Sequence, residues 1–345
     1  MSNPAGRFDR TTRVAVNDGW EQPADDAFPS PDPRTEFFQD LTRNIIATNR
    51  SPDIPFDRSI NPYKGCEHGC IYCYARPTHA YLDLSPGLDF ETRIFVKTEP
   101  VARLREALEA PGYRCGTIAM GTNTDPYQPG EKRHRVTRRI LETLLEYRHP
   151  VSITTKGKLI LRDLDVLCEL AAIGLASVAV SVTTLDDDLK ARLEPRTASP
   201  RARLRMVREL AGVGVPVGVM MAPVIPFIND NEIEDVVARA ADAGAASVNY
   251  IMLRLPFEVK DLFAEWLAEH YPLKAGHVMN RLRDMHGGKA YRAEWGTRMR
   301  GRGPYAKLVA ERFRLARRRH GLEGSRLPAL RTDLFRRPFE QGSLL

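Results

Sequence analysis

Three cysteines fall within eight residues of the stretch Asn61-Pro-Tyr-Lys-Gly-Cys66-Glu-His-Gly-Cys70-Ile-Tyr-Cys73-Tyr-Ala-Arg76, while the other 337 positions hold only two. No other feature constrains the chain as tightly. Thiolates at Cys-x3-Cys-x2-Cys spacing, on a loop punctuated by Gly65 and Gly69, can converge on one metal centre without a strained backbone. Two readings of that centre follow. A 4Fe-4S cluster normally takes four thiolates, so three would leave one iron open to bind something else. A closed structural zinc site would instead recruit His68 as the fourth ligand to Cys66, Cys70 and Cys73. His68 sits two residues from each neighbouring cysteine, which is tight for tetrahedral closure, and structural zinc usually draws on two separated knuckles.

The chain, at 345 residues, suits one large domain with extensions, or two small ones, and is long enough to bury a sizeable core. It contains no apolar run of about 18 residues, and the start Met1-Ser-Asn-Pro-Ala-Gly lacks the charged-then-apolar signature of a secretory signal. A cytoplasmic protein with no membrane contact is therefore expected. Five cysteines, an odd number with three clustered, fit a reducing compartment in which thiols serve metals. The net charge of +7 is uneven: residues 275–345 carry 17 Lys/Arg against 6 Asp/Glu, leaving 34 basic and 38 acidic groups elsewhere. Basicity confined to one region favours a surface that faces a polyanion.

Residues 1–57 are rich in Pro, Asp and Asn, with one short apolar run, Phe37-Phe38-Gln-Asp-Leu41; irregular wrapping is expected there. From residue 58 short apolar runs alternate with helical periods, as in a parallel sheet with crossover helices. The spacing predicts six strands, at 59–63, 117–120, 151–155, 177–182, 215–221 and 247–253. Helical stretches between them carry apolar residues three and four apart, such as Val136, Ile140 and Leu144. Polar groups follow the strands: Gly121-Thr-Asn-Thr-Asp125, Lys156-Gly157, Thr183-Thr-Leu-Asp186 and the run from Pro223 to Asn229. Strand C-terminal ends are where α/β barrels and open parallel sheets place their sites. Beyond residue 254 helices are predicted over 258–270, 278–285 and 305–320. In the last, Leu308, Phe313, Leu315 and Ala316 are expected to pack while Arg312, Arg314, Arg317, Arg318 and Arg319 stay wet.

With the cysteine loop after a first strand and five strand–helix units behind it, the chain resembles the radical S-adenosylmethionine (SAM) superfamily. Tyr72-Cys73-Tyr74 is similar to the branch related to spore photoproduct lyase. So are Thr124-Asp125, Thr155-Lys156, Ser181, Leu193-Glu194-Pro195 and Ser199-Pro200, which recur there in that order. Ser51-Pro-Asp-Ile-Pro-Phe56 and Ala75-Arg-Pro-Thr-His79 resemble a bacterial subgroup of that branch. The resemblance implies a partial (β/α)6 TIM-like barrel over residues 58–255, with an irregular extension at 1–57 and a helical, basic region at 256–345. It also implies a 4Fe-4S cluster on Cys66, Cys70 and Cys73 and S-adenosyl-L-methionine on the open iron. Reduction, by a donor such as flavodoxin or ferredoxin, would release a 5′-deoxyadenosyl radical that takes hydrogen from a substrate. In that picture Lys156 suits the cofactor carboxylate, Asp125 and Ser181 its amino and ribose groups, and Tyr72 the adenine, while Tyr74 could relay a radical.

The branch also uses a further cysteine as hydrogen donor, at a place where this chain has Gly121-Thr122-Asn123. Cys115, before the second strand, and Cys168, among Leu164, Leu167 and Leu170 on a helix, are poorly placed to substitute. Photoproduct repair is thus not the expected reaction. Nucleic acid is the leading expectation for the substrate, on the basic tail and the resemblance, with a peptide or a metabolite close behind it. The contrasting expectation is a non-catalytic nucleic-acid-binding protein whose metal loop is structural.

Overall fold

The computed structural model describes residue 7 and residues 35–338. Most of the extension expected at 1–57 therefore lies outside the described residues. Ten strands run in chain order: β1 (Glu36–Asp40), β2 (Ala47–Thr48), β3 (Arg58–Ile60), β4 (Tyr63–Lys64), β5 (Arg93–Lys97), β6 (Ile118–Met120), β7 (Val151–Thr155), β8 (Ala176–Ser181), β9 (Val217–Val224) and β10 (Ser247–Met252). Seven of them form one sheet in the order β10-β9-β8-β7-β6-β3-β2. All pairs from β3 through β10 are parallel, and β2 adds to β3 antiparallel. Strands of a sheet covered on both faces read as continuous apolar runs, and Val178, Val180, Val217, Val219 and Met221 are all buried. The fold is mixed α/β, a parallel sheet with crossover helices that matches the partial barrel expected.

Helices follow each inner strand and are started by local chemistry. Ser199 accepts a hydrogen bond from the Ala202 amide (3.2 Å) ahead of helix Pro200–Gly212, and Asp186 caps Asp187–Leu193 through the Asp188 and Leu189 amides. Caps of this kind contribute about 1 kcal/mol each. In helix Val136–Glu146 the buried face is Val136, Ile140, Leu141 and Leu144, the helical period seen in the sequence.

Two expectations near the amino end change. The strand predicted over 59–63 is two strands: Pro62 has no amide hydrogen for the ladder, so β3 ends at Ile60 and β4 joins a second sheet, β1-β5-β4. The run at Phe37 is not irregular but is β1, parallel to β5 from Glu36/Arg93 to Asp40/Lys97. Its last residue, Asp40, is buried and takes Lys64 and Lys97 at 2.9 Å each, so the extension props up the strand that feeds the cysteine loop.

The carboxy-terminal region packs on both ends of the barrel. Helices Val259–His270 and Pro272–Met285 share an apolar cluster with Cys70, Ile71 and Tyr72 at the mouth. Helix Gly303–Arg319 buries Ala306, Val309, Phe313 and Ala316. Leu308 and Leu315, expected to pack, are instead exposed, because residues 306, 309, 313 and 316 make the 3,4,3 stripe and those two leucines lie off it. The arginines of this helix are also less free than expected: Arg312 pairs with Glu234 and Arg314 with Glu311 and Glu323. Residues 331–337 then pass beneath the sheet, where Arg331 donates to Gly174 O and Arg336 to Tyr147 O through their amides.

Candidate active site

The cysteine loop is held by its backbone. Gly65 has φ +84°, and a Cβ there would stand 2.9 Å from His79 Cε1, Ile94 Cδ1 and Phe90 O, so only glycine fits. The Cys66 amide donates to Phe90 O (2.9 Å), Thr124 Oγ1 to Gly65 O (2.6 Å) and the Glu67 amide to Gln128 Oε1 (2.9 Å). On the far side Arg76 is wholly buried. Its Nε donates to Cys70 O (2.9 Å), its Nη1 to Pro86 O and Gly87 O, and its Nη2 to Glu91 (2.5 Å). Glu91 also takes Arg196, which donates to Glu67 O. A carboxylate shared by two guanidiniums thus fixes both flanks of the loop.

Cys66 and Cys70 are buried and Cys73 is partly so. Burial pushes the Cys66 thiol well up, and the Asp125 carboxylate and the other two cysteines push it further. Burial and then Glu194 push Cys70 up to about 12, against the pull of Lys156 and Arg203. Buried thiols such as Cys66 and Cys70 give up their protons to a cationic centre rather than to water. Among the described residues no three His, Cys, Asp or Glu side chains stand close enough to hold a single metal ion, and His68 Nδ1 faces Asp125 Oδ2 at 3.3 Å. Three thiols on one loop are the donor set that a 4Fe-4S cluster with one open iron would take, and His68, the fourth ligand a closed zinc site would need, is engaged by Asp125.

The strand ends complete the site. Asp125, after β6, is filled by protein donors: the Tyr127 amide (2.9 Å) and Thr155 Oγ1 (2.6 Å) on one oxygen, the Lys156 amide (2.7 Å) on the other, beside His68. Burial alone would raise its pKa, but His68, Thr155 and the Lys156 amide bring it down to about 2. It ties the cysteine loop to β6 and β7. Lys156, after β7, has its ammonium 6.0 Å from the Tyr72 ring centroid and makes no hydrogen bond or ion pair among the described residues. Burial would lower its pKa, yet Glu194 and Cys70 hold it above the ordinary lysine value. Ser181 ends β8 and is buried, and its carbonyl accepts from Arg203 Nη1 at 3.0 Å. Tyr72 is buried with its hydroxyl donating to Glu194 Oε1 and 3.3 Å from Thr183 Oγ1. Tyr74 stands at the mouth, 43% exposed, donates to Thr122 O, and lies under the Arg254 guanidinium at 4.5 Å.

Sequence reasoning assigned no role to Glu194 and passed over Arg203. The two form a fully buried ion pair directly behind Tyr72, completed by Thr183 Oγ1 (2.7 Å) and Thr197. The signal was present: Arg203 falls on the apolar stripe with Met206, Val207 and Leu210, where a charge requires a partner.

A profile of the radical SAM superfamily matches residues 60–240, more than half of the chain. The chain belongs to the radical SAM superfamily. An uncharacterized protein of Mycobacterium bovis is 39% identical over 245 residues, 70% of this chain and 71% of that one. An uncharacterized protein of Methanocaldococcus jannaschii is 30% identical over 173 residues, covering 50% of this chain and 62% of its own. Among solved structures, a spore photoproduct lyase complexed with dinucleoside spore photoproduct superposes with TM-score 0.59 at 17% identity, over 82% of this chain and 79% of that one. That likeness carries the fold. Within the described residues of this radical SAM protein no helix is long and apolar enough to cross a membrane.

Proposed function

We propose that this radical SAM protein is an enzyme that holds a 4Fe-4S cluster on Cys66, Cys70 and Cys73 and uses S-adenosylmethionine to take hydrogen from a substrate at the barrel mouth. The observation that carries the reading is the Lys156 ammonium, which makes no hydrogen bond or ion pair among the described residues and lies beside Cys70 and the Tyr72 ring. Held by Cys66, Cys70 and Cys73 and reduced by an external donor, such a cluster would supply the electron that splits the sulfonium carbon–sulfur bond. The chain does the positioning. Lys156 offers its ammonium to the cofactor carboxylate, and Ser181, at the end of β8, stands where a ribose or amino group can be met. Asp125 does its part indirectly, by holding the Lys156 amide. Glu194 locks Tyr72 between Cys70 and Cys73, and the apolar cluster from Ile225 to Leu282 keeps water from that side. Tyr74 is the phenol on the substrate side.

Anaerobically purified protein reduced with dithionite is expected to form 5′-deoxyadenosine from S-adenosylmethionine. No product, together with zinc in place of iron and sulfide, would overturn the reading. Lys156→Ala is expected to keep its iron and sulfide and to slow 5′-deoxyadenosine formation by about tenfold or more, the effect of losing one charge-assisted contact. An undiminished rate would remove Lys156 from the site.

The proposal extends to nucleic acid as a partner of the basic carboxy-terminal surface. Arg318 and Arg319 are exposed, whereas Arg317 leans on Val248 O and Asn249 at the start of β10. The pair therefore stands at the end of the sheet opposite the cysteine loop. Retention on heparin should weaken steeply with salt and should fall when Arg318 and Arg319 are both changed to Ala. Unchanged retention would discard this surface.

A further inference from the structure

Arg254 follows β10 and stands over the Tyr74 ring beside the cysteine loop. Its surroundings orient the guanidinium without neutralising it. The Tyr74 ring lies 4.5 Å away on one side. Nη1 points to the thioether sulfur of Met299 at 3.0 Å, which is a weak acceptor. Nε is sealed from water and has no hydrogen-bond partner among the described residues. No carboxylate pairs with Arg254 among the described residues. By contrast Arg298, the next cation along, is satisfied by Asp53 at 2.8 Å and by Ser51.

Met299 is itself fixed: its carbonyl accepts from the Met252 amide at 2.9 Å, and the Gly296 amide donates to Asp53 Oδ1 at 3.0 Å. The segment from 296 to 299 thus bridges β10 and the loop between β2 and β3, at opposite edges of the sheet, and its Met299 sulfur meets Arg254. An arginine stacked on a ring and braced by a thioether is held in one orientation, and with Nε sealed and Nη1 turned to Met299 it is Nη2 that stays open to an oxyanion. Lys156 and Arg254 both lie near Tyr74; the charge of Lys156 is offset by Glu194, and on the reading above Lys156 serves the cofactor carboxylate.

We infer that Arg254 is the contact for an oxyanion carried by the substrate, a phosphate or a carboxylate, and that it sets this group against Tyr74 at the barrel mouth. The inference rests on the assignment of Lys156 to the cofactor.

The test is differential labelling with phenylglyoxal, an arginine reagent, on the anaerobic cluster-loaded protein with S-adenosylmethionine present. Each site is read by peptide mass spectrometry, and exposed Arg201 and Arg208 serve as internal references. The probes are inorganic phosphate, dimethyl phosphate and acetate, with chloride at matched ionic strength as the control. At a probe concentration of twice its Kd, labelling of Arg254 should slow about threefold while Arg201 and Arg208 do not change. Protection by either phosphate probe points to a phosphate-bearing substrate, and protection by acetate alone to a carboxylate.

Equal labelling of Arg254 in all four conditions overturns the inference. So does protection that vanishes in Lys156→Ala, because the anion would then belong to the cofactor position. Labelling needs no radical chemistry, so the two readings fail separately. Protection without 5′-deoxyadenosine formation upholds the anion contact and removes the radical reading; 5′-deoxyadenosine formation without protection does the reverse.

Discussion

Cys70→Ala yields a protein that loads no cluster. The parent should bind about four irons with matching sulfide after anaerobic reconstitution, and the variant close to none. The other thiols cannot substitute. Cys115 precedes β6 at the base of the sheet, and the Cys168 sulfur lies 3.8 Å from Val213 O, also at the base. His68 is turned to Asp125. The fold should survive the change, because the Cys70 carbonyl, which Arg76 binds, is untouched. Near-parent iron and sulfide in the variant would remove Cys70 from the ligand set.

Arg203→Ala destabilises the fold by about 3–5 kcal/mol, the cost of leaving one member of a buried ion pair alone. Glu194 would keep Tyr72 and Thr183 as donors but lose the guanidinium that offsets its burial. Denaturant unfolding of Arg203→Ala and of the double variant Arg203→Met with Glu194→Gln measures this directly. The double variant should recover part of the loss, since it removes both charges of the pair, though Lys156 loses the carboxylate that offsets its own burial. A loss below about 1 kcal/mol in Arg203→Ala would mean that water reaches the pair.

The same carboxylate gives the pH dependence its sign. Burial alone would raise the pKa of Glu194, but Arg203, Lys156 and the Tyr72 hydroxyl bring it from 4.5 to about 2. A carboxyl held lower in the folded than in the unfolded chain contributes stability that is fully present above pH 4.5 and lost as pH falls toward 2. Asp125 and Asp40, each held at about 2, act in the same direction. Unfolding midpoints measured downward from pH 5 should therefore drop steeply. A flat profile to pH 3 would show that these carboxylates are not held low.

Much of the fold is legible because it is local. Five of the six predicted strands coincide with β6 to β10 within a few residues, since each is a short apolar run bounded by turn residues. The helix starts at Ser199 and Asp186 are written in the caps. The misses were interactions across long sequence distances. β1 is a strand because β5, more than fifty residues on, accepts it, and its own composition does not announce that. Leu308 and Leu315 look like core residues until the neighbour across from the helix is known. Among the site residues, Asp125 is a polar strand-end group in both readings, but only the folded chain shows that four donors occupy it.

By itself the sequence determined that three thiols must meet on one loop, because eight residues with glycines at the turns leave them nowhere else to go, and that polar groups line the ends of successive parallel strands. Only the tertiary structure decided what stands behind and across from that loop: Glu91 between Arg76 and Arg196, Glu194 paired with Arg203 under Tyr72, and Arg254 above Tyr74 with no counter-ion among the described residues. Spacing within a loop is set by covalent geometry. The partner of a buried or half-buried charge is set by which distant segments the packed barrel brings within a few ångströms, and no short-range pattern encodes that.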